Sequence, residues 1–268
     1  MSDFHLEGGA GVQIHTGGKY CPSDILVTSE KLDGPLAEQA ALIDEIRQAL
    51  QGKMAGAVPV DPREGYQRVE YITTAEEGTY PYIITDFYGD NESGMEIIAS
   101  FPTLVDRIPM GSRENSDATR FYCVYPLSAN SIYYGFDTGA TISCKLEADT
   151  KYRLQTNFLN SRLVNAYTAD GIRKGGGSIN DTLTQQTAPV SIFGYNYAAT
   201  GNVSSKREYL LYSARCSQGH EVVREYIPVR RKSDGAVGLY EKFSGTFWGN
   251  DGPDGSAFAA GPDIEWEV

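Results

Sequence analysis

Cysteine is scarce in this chain and poorly spaced for cross-linking or metal binding. The 268 residues hold four, Cys21, Cys123, Cys144 and Cys216, far apart and with no CxxC pair. That spacing disfavours a dense disulfide scaffold and a cysteine metal cluster. Cys123, Cys144 and Cys216 lie in strand-like surroundings, where a free cysteine serves as a small buried apolar group, although one bridge among them stays open. Histidine is scarcer still, with only His5, His15 and His220. His5 and His15 lack the i, i+4 spacing that puts two ligands on one helix face, so no zinc site is expected. No GxSxG elbow is present, and a serine nucleophile with a histidine base is not expected. GGAG and GGGS lack the strand-to-helix setting of a phosphate loop, so no nucleotide site is expected. The chain has no run of about 18 apolar residues to span a membrane. Its first residues show no basic stretch leading into an apolar core, and no secretory leader is expected. Positive charge is in short supply as well. With 23 Lys and Arg against 35 Asp and Glu, the chain carries −12 at pH 7 and a pI of about 4.7. Such a surface repels phosphate backbones and releases no counterions, which argues against nucleic acid as a partner.

Glycine and tyrosine are abundant, at 29 and 18 residues, a balance suited to many short strands with tight turns and half-buried aromatic faces. Residues 1–18 hold many glycines and few large apolar groups, too little to order alone, and read either as an arm that orders against a partner or as a frayed terminus. Ile25 and Val27, with Tyr20, predict one short strand. Residues 36–54 form the one convincing helix pattern, rich in strong helix formers and stopped at Gly52. Leu36, Ile43 and Leu50 are seven apart with Ile46 between them, while Ala40, Leu42 and Ala49 widen the stripe. Two heptads do not define a coiled coil, and an isolated helix of this length is marginal in water. The stripe therefore needs a cover, either the helices of sister subunits or the chain's own sandwich, and the favoured expectation is a short self-associating bundle, a homotrimer. Residues 55–64 have the composition of a linker.

From residue 65 onward the pattern is strand and turn. YQRVEYI, PYIITDFY, MEIIASF, TRFYCVYPL, SIYYGFDTG, TISCKLE and KYRLQTNFL follow one another with short polar breaks. RLVNAYTADGIRK reads as a hairpin turning at Asp170 and Gly171. GGGSINDTLTQQTA reads as a polar loop, and VSIFGYNY as one strand. In YLLYSARC, Leu210, Tyr212, Ala214 and Cys216 share a parity; after a turn with Gly219, EVVREYIPV returns with Val223, Ile227 and Val229 on one face. More than ten short strands with almost no helix predict a mainly β fold, an antiparallel two-sheet sandwich.

The order YSARC…VVREYIPVRRKSDGAVGLYEKFSGTFWGN…FAAG resembles the C-terminal half of LamG-like, concanavalin A-like jelly-roll domains in bacteriophage and prophage structural proteins. GYQRVEYI at Gly65 to Ile72 fits the opening of such domains, and GGKYCPSDILVT is similar to segments of phage tail and other virion proteins. The resemblance implies four parts: an attachment arm with a short strand over 1–33, the oligomerising helix over 34–54, a linker over 55–64 and a jelly-roll domain over 65–268. It implies a virion location, contacts with other virion proteins through the arm, and a fibre or appendage subunit displaying a lectin-like domain for host-surface or mucosal glycans. A decoration or baseplate scaffold that touches only virion proteins is the second reading, and a polysaccharide-degrading enzyme the third.

The enzyme reading needs two carboxylates across a glycosidic bond. Some jelly-roll glucanases resemble one another in a Glu-x-Asp-x-x-Glu strand. The nearest fragment here is Glu147-Ala-Asp149, with Tyr152 at the third position, and it is expected to face solvent at a strand end. No catalytic residue is therefore assigned. For glycan binding, an aromatic ring beside amides and carboxylates is wanted. FGYNYAATGNVSS offers Tyr195, Asn196, Tyr197 and Asn202, and FWGNDGPDG offers Trp248 and Asn250. Related domains carry an inward-packing aromatic at the position of Trp248, which competes with the binding reading. Asp251 and Asp254 are candidate calcium ligands or turn residues bonded to their own backbone. Tyr195 and Tyr197 share a parity, so both are exposed or both buried.

Overall fold

A computed structural model describes residues 12–14, 25–27, 61–74, 80–104, 108–114, 121–198, 200, 202–204 and 208–266. The predicted helix over 36–54, with Leu36, Ile43, Ile46 and Leu50, lies outside the described residues, as does Cys21. The chain divides into two units, Met1–Glu64 with Phe243–Gly245, and Gly65–Lys242 with Thr246–Val268. In the first, β1 (Val12–Ile14) pairs antiparallel with β2 (Ile25–Val27). The arm thus holds a strand of its own, where composition predicted none before Tyr20. A helical turn at Pro62–Gly65 opens with Asp61, whose Oδ1 accepts the Arg63 N–H at 3.0 Å.

In the second unit the strands are β3 (Tyr66–Arg68), β4 (Ile72–Thr74), β5 (Ile83–Ile84), β6 (Ser93–Ser100) and β7 (Met110–Arg113). Next come β8 (Phe121–Ser128), β9 (Ser131–Ser143), β10 (Lys151–Thr156), β11 (Leu163–Thr168), β12 (Arg173–Ser178) and β13 (Ser191–Ile192). The last are β14 (Tyr195–Tyr197), β15 (Asn202–Ser204), β16 (Leu210–Gln218), β17 (Glu221–Arg231), β18 (Val237–Glu241), β19 (Thr246–Trp248) and β20 (Phe258–Ala260). They build an antiparallel two-sheet jelly-roll sandwich. One sheet has eleven strands, ordered β12-β11-β10-β6-β16-β17-β18-β19 with β3, β4 and β20 joined off that path. The other runs β15-β14-β7-β13-β5, antiparallel except where β14 lies parallel to β7, and the β8–β9 hairpin accompanies it.

Alternation sends Met95, Ile97 and Ala99 of β6, Tyr152 and Leu154 of β10, and Tyr122 and Val124 of β8 into one shared core. An aromatic stack crosses it: Tyr209 lies 4.3 Å from Phe193 and 5.7 Å from Phe101, and Phe193 lies 4.9 Å from Phe258. Tyr209 Oη donates to the Pro109 carbonyl at 2.7 Å and accepts the Phe193 N–H at 3.0 Å, so its hydroxyl is satisfied in the apolar interior. Cys123, Cys144 and Cys216 are buried and form no disulfide, as their surroundings predict.

Four segments depart from the sequence reading. SIYYGFDTG and TISCKLE fuse into the single thirteen-residue β9, because Gly139 needs no break: its bare backbone accommodates the Tyr133 ring, whose Oη would sit 1.5 Å from an added Cβ. GGGS belongs to β12 rather than to a loop, for a Cβ at Gly175 would come within 2.5 Å of the Cys144 Cβ. VSIFGYNY breaks into β13 and β14 at Phe193 (φ 68) and Gly194 (φ 150), which lets the chain pass from one side of β7 to the other. Finally, a register shift between Leu211 and Ser213 resets the parity of β16, so Leu211, Ala214 and Cys216 are buried while Leu210 and Tyr212 are half-buried. The Asp170-Gly171 hairpin (Gly171 φ 89) and the Gly219 turn form as predicted.

Candidate functional site

The two predicted loop sites stand at opposite edges of the five-stranded sheet and do not form one site. At the β5 edge, Asn250 and Asp251 fasten their own loop. Asn250 Oδ1 accepts the N–H groups of Tyr82 at 3.2 Å and Gly252 at 2.7 Å, and its Nδ2 donates to the Ser256 carbonyl at 2.8 Å. Asp251 Oδ2 accepts the Ile84 N–H at 2.8 Å. These bonds extend the sheet past its last strand, work that competes with ligand binding. Asp254 is exposed, and among the described residues no group of three or more His, Cys, Asp or Glu assembles that could hold a metal ion. Trp248 packs inward against the core, its ring centroid 6.3 Å from that of Tyr226.

At the other edge, β14 presents Tyr195 and Tyr197, both half-buried, on either side of the buried Asn196. Their shared parity is as read from the sequence; they are neither fully exposed nor fully buried. Register places Tyr197 beside Arg113 on one side and Asn202 on the other. The Arg113 guanidinium carbon lies 5.9 Å from the Tyr197 ring centroid and 5.3 Å from that of Phe121. Phe121 meets Tyr195 edge-on at 5.3 Å and Tyr133 at 6.2 Å, and Tyr133 lies 5.1 Å from Tyr125. A strip of rings with an arginine at one end therefore crosses the face of β8, β9 and β14 that points away from the main core; Phe121 and Tyr125 are buried in it, while Tyr133, Tyr195 and Tyr197 are half-buried. Aromatic faces flanked by a charged donor suit the apolar side of a sugar ring together with its hydroxyls.

A second constellation is invisible to motif reading because each strand contributes one or two residues. On the outer face of the eleven-stranded sheet, register aligns Asn165, Gln155, Glu96, Arg215 and Glu225 across β11, β10, β6, β16 and β17. Tyr167, Arg153, Ile98 and Ser213 form the next row. Glu96 is 1% exposed and is the hub. Its Oε1 accepts from Arg215 Nε at 2.8 Å and from Arg215 Nη2, and its Oε2 accepts from Gln155 Nε2. Arg153 approaches the same carboxylate only to 3.9 Å while its guanidinium lies 4.7 Å from the Tyr167 ring centroid. Farther along, Lys151 Nζ sits 3.6 Å from the Tyr212 ring centroid and 3.5 Å from Glu70. Only the period-two alternation of β6 and β10 hinted that Glu96, Arg153 and Gln155 share one face.

Glu147 and Asp149 are exposed beyond the end of β9, as expected, and Tyr152 is buried. His220 is exposed in the β16–β17 turn, its Nδ1 3.0 Å from the Leu159 carbonyl oxygen. Among the described residues no helix is long and apolar enough to cross a membrane.

No protein-family model and no curated protein matches this chain. Solved structures do match. One, from Bacteroides ovatus ATCC 8483, is described as a carbohydrate binding protein; it aligns with a TM-score of 0.49 at 11% identity, over 74% of this chain and 62% of its own length. A native heptameric SAP-like pentraxin from Limulus polyphemus aligns with a TM-score of 0.44 at 12% identity, over 72% of this chain and 96% of its own.

Proposed function

We propose that this chain is a non-catalytic structural subunit of a virion fibre or appendage whose jelly-roll unit binds host-surface or mucosal glycans. The observation that carries glycan binding is the Tyr195–Tyr197 pair, set on one face of β14 with Arg113 beside it. The rings offer flat apolar surface at little entropic cost, and the Arg113 guanidinium places a positive charge beside them. The virion role is supported by the resemblance of GGKYCPSDILVT and of the C-terminal strand order to phage structural proteins. Leu36, Ile43, Ile46 and Leu50 supply the stripe for a trimer, and several weak sites on one particle add up to high avidity. A non-catalytic role is consistent with Glu147 and Asp149 standing in solvent beyond a strand end rather than across a cleft.

The test is a glycan array probed with the full chain and with Tyr197→Ala. Binding to defined glycans that falls at least tenfold in the variant, with an unchanged melting temperature, is the expected result. A blank array would sink the adhesion reading and favour a scaffold that contacts virion proteins alone. Release of reducing ends from capsular polysaccharide would replace it with an enzyme.

A further inference from the structure

We propose that the outer face of the eleven-stranded sheet is a second binding site, for a saccharide bearing a carboxylate, with Arg153 as the partner of that anion. The argument starts from the single buried carboxylate at its centre. Glu96 is already engaged at both oxygens, because Arg215 holds Oε1 through two nitrogens and Gln155 holds Oε2. The Arg153 side chain, on the neighbouring strand, is left with a 3.9 Å ion contact and makes no hydrogen bond among the described residues; its Nε is buried without a hydrogen-bond partner. A guanidinium whose Nε–H is buried without an acceptor is an arrangement that folding alone disfavours. Two guanidiniums share one carboxylate here, so the hub keeps a local positive charge on a chain whose net charge is −12.

The group is also held in place. Tyr167 lies directly across from Arg153 in the β10–β11 register, and its ring supports the guanidinium at 4.7 Å. Glu96 draws the same group from the other side, and the Arg153 side chain remains 35% exposed. A planar fork fixed in this way pairs two-pronged with a carboxylate, which a neutral sugar cannot match. The half-buried Ile98 and Ser213 continue the same row and supply an apolar surface and a hydroxyl for the ring that bears the acid. The surface therefore complements an acidic sugar such as a uronate or a sialate. It belongs to the opposite sheet from the tyrosine strip and works independently of it.

Calorimetric titration of the full chain with glucuronate-, galacturonate- and N-acetylneuraminate-terminated oligosaccharides, and with the methyl ester of each, tests this. At least one acid is expected to bind, its ester at least tenfold more weakly. Arg153→Ala should lose at least tenfold in affinity for that acid. Arg153→Lys, which keeps the charge over Tyr167 but not the fork, should lose most of it while melting like the parent chain. Tyr197→Ala should bind the acid as the parent does. The proposal is overturned if none of the acids binds, if ester and acid bind equally, or if a folded Arg153 variant retains full affinity. It is also overturned if Tyr197→Ala, rather than Arg153→Ala, abolishes binding. None of those results touches neutral-glycan binding at the tyrosine strip.

Discussion

Three tyrosines of the core show how one side chain type acts differently by position. Tyr122, Tyr209 and Tyr226 are all fully buried, and burial pushes each phenol well above its ordinary pKa. Tyr209 has partners for its hydroxyl on both sides, whereas the hydroxyls of Tyr122 and Tyr226 have none. Removing a bonded hydroxyl strands the groups it satisfied, while removing an unbonded one relieves a desolvation cost. Urea denaturation should therefore find Tyr209→Phe destabilised by about 1–2 kcal/mol and Tyr226→Phe unchanged or more stable. A loss in Tyr226→Phe equal to that in Tyr209→Phe would contradict the geometry. The cysteines were readable residue by residue, since small apolar groups in alternating strands go inward. Burial pushes the Cys144 thiol up to about 11 and that of Cys216 higher still, which keeps both protonated and inert at neutral pH. The fate of a hydroxyl was not readable, because its partner lies on a strand far away in sequence.

Among the strands, β12 is the least legible, since its Arg-Lys-Gly-Gly-Gly-Ser string has poor strand propensity. It forms because β11 offers a partner edge through the Asp170-Gly171 turn and because the end of β9 packs so close that only glycine fits. Cys144, just past the end of β9, bridges to Gly175 of β12, and an added Cβ at Gly175 would lie 2.7 Å from the Ser143 carbonyl oxygen. Gly175→Ala should accordingly cost about 2 kcal/mol in urea denaturation, although alanine is the better strand former. A neutral result would mean that β9 can shift at no cost. The same reasoning covers the fusion of two predicted strands into β9 and the division of one into β13 and β14. In each case a close approach or a topological crossing overrode local preference.

For the whole molecule, the sandwich unit has two outer faces with different chemistry. One is a tyrosine strip that ends at Arg113; the other is a polar ladder centred on Glu96 with Arg153 at its side. Such a unit gains most from being presented in several copies, since effective concentration multiplies weak binding. Light scattering should find the full chain trimeric and a variant lacking residues 36–54 monomeric. A monomeric full chain, or a trimer that survives the deletion, would remove Leu36, Ile43, Ile46 and Leu50 from that role.

Alternation and turn residues in the sequence were enough to determine the mainly β, two-sheet class, the hairpins at Asp170-Gly171 and Gly219, and the inward cysteines. These are local properties, set by side-chain parity and by backbone conformations that glycine favours. The positions of the candidate sites were decided by tertiary structure. Loop composition nominated Asn250 and Asp251 in one loop and Tyr195 and Tyr197 in another; sheet order puts the two groups at opposite edges and engages the first in backbone bonds. Conversely, Glu96, Arg153 and Arg215 carry no motif. They meet only because β6 pairs with both β10 and β16, and such long-range register depends on the packing of the whole core rather than on any single segment.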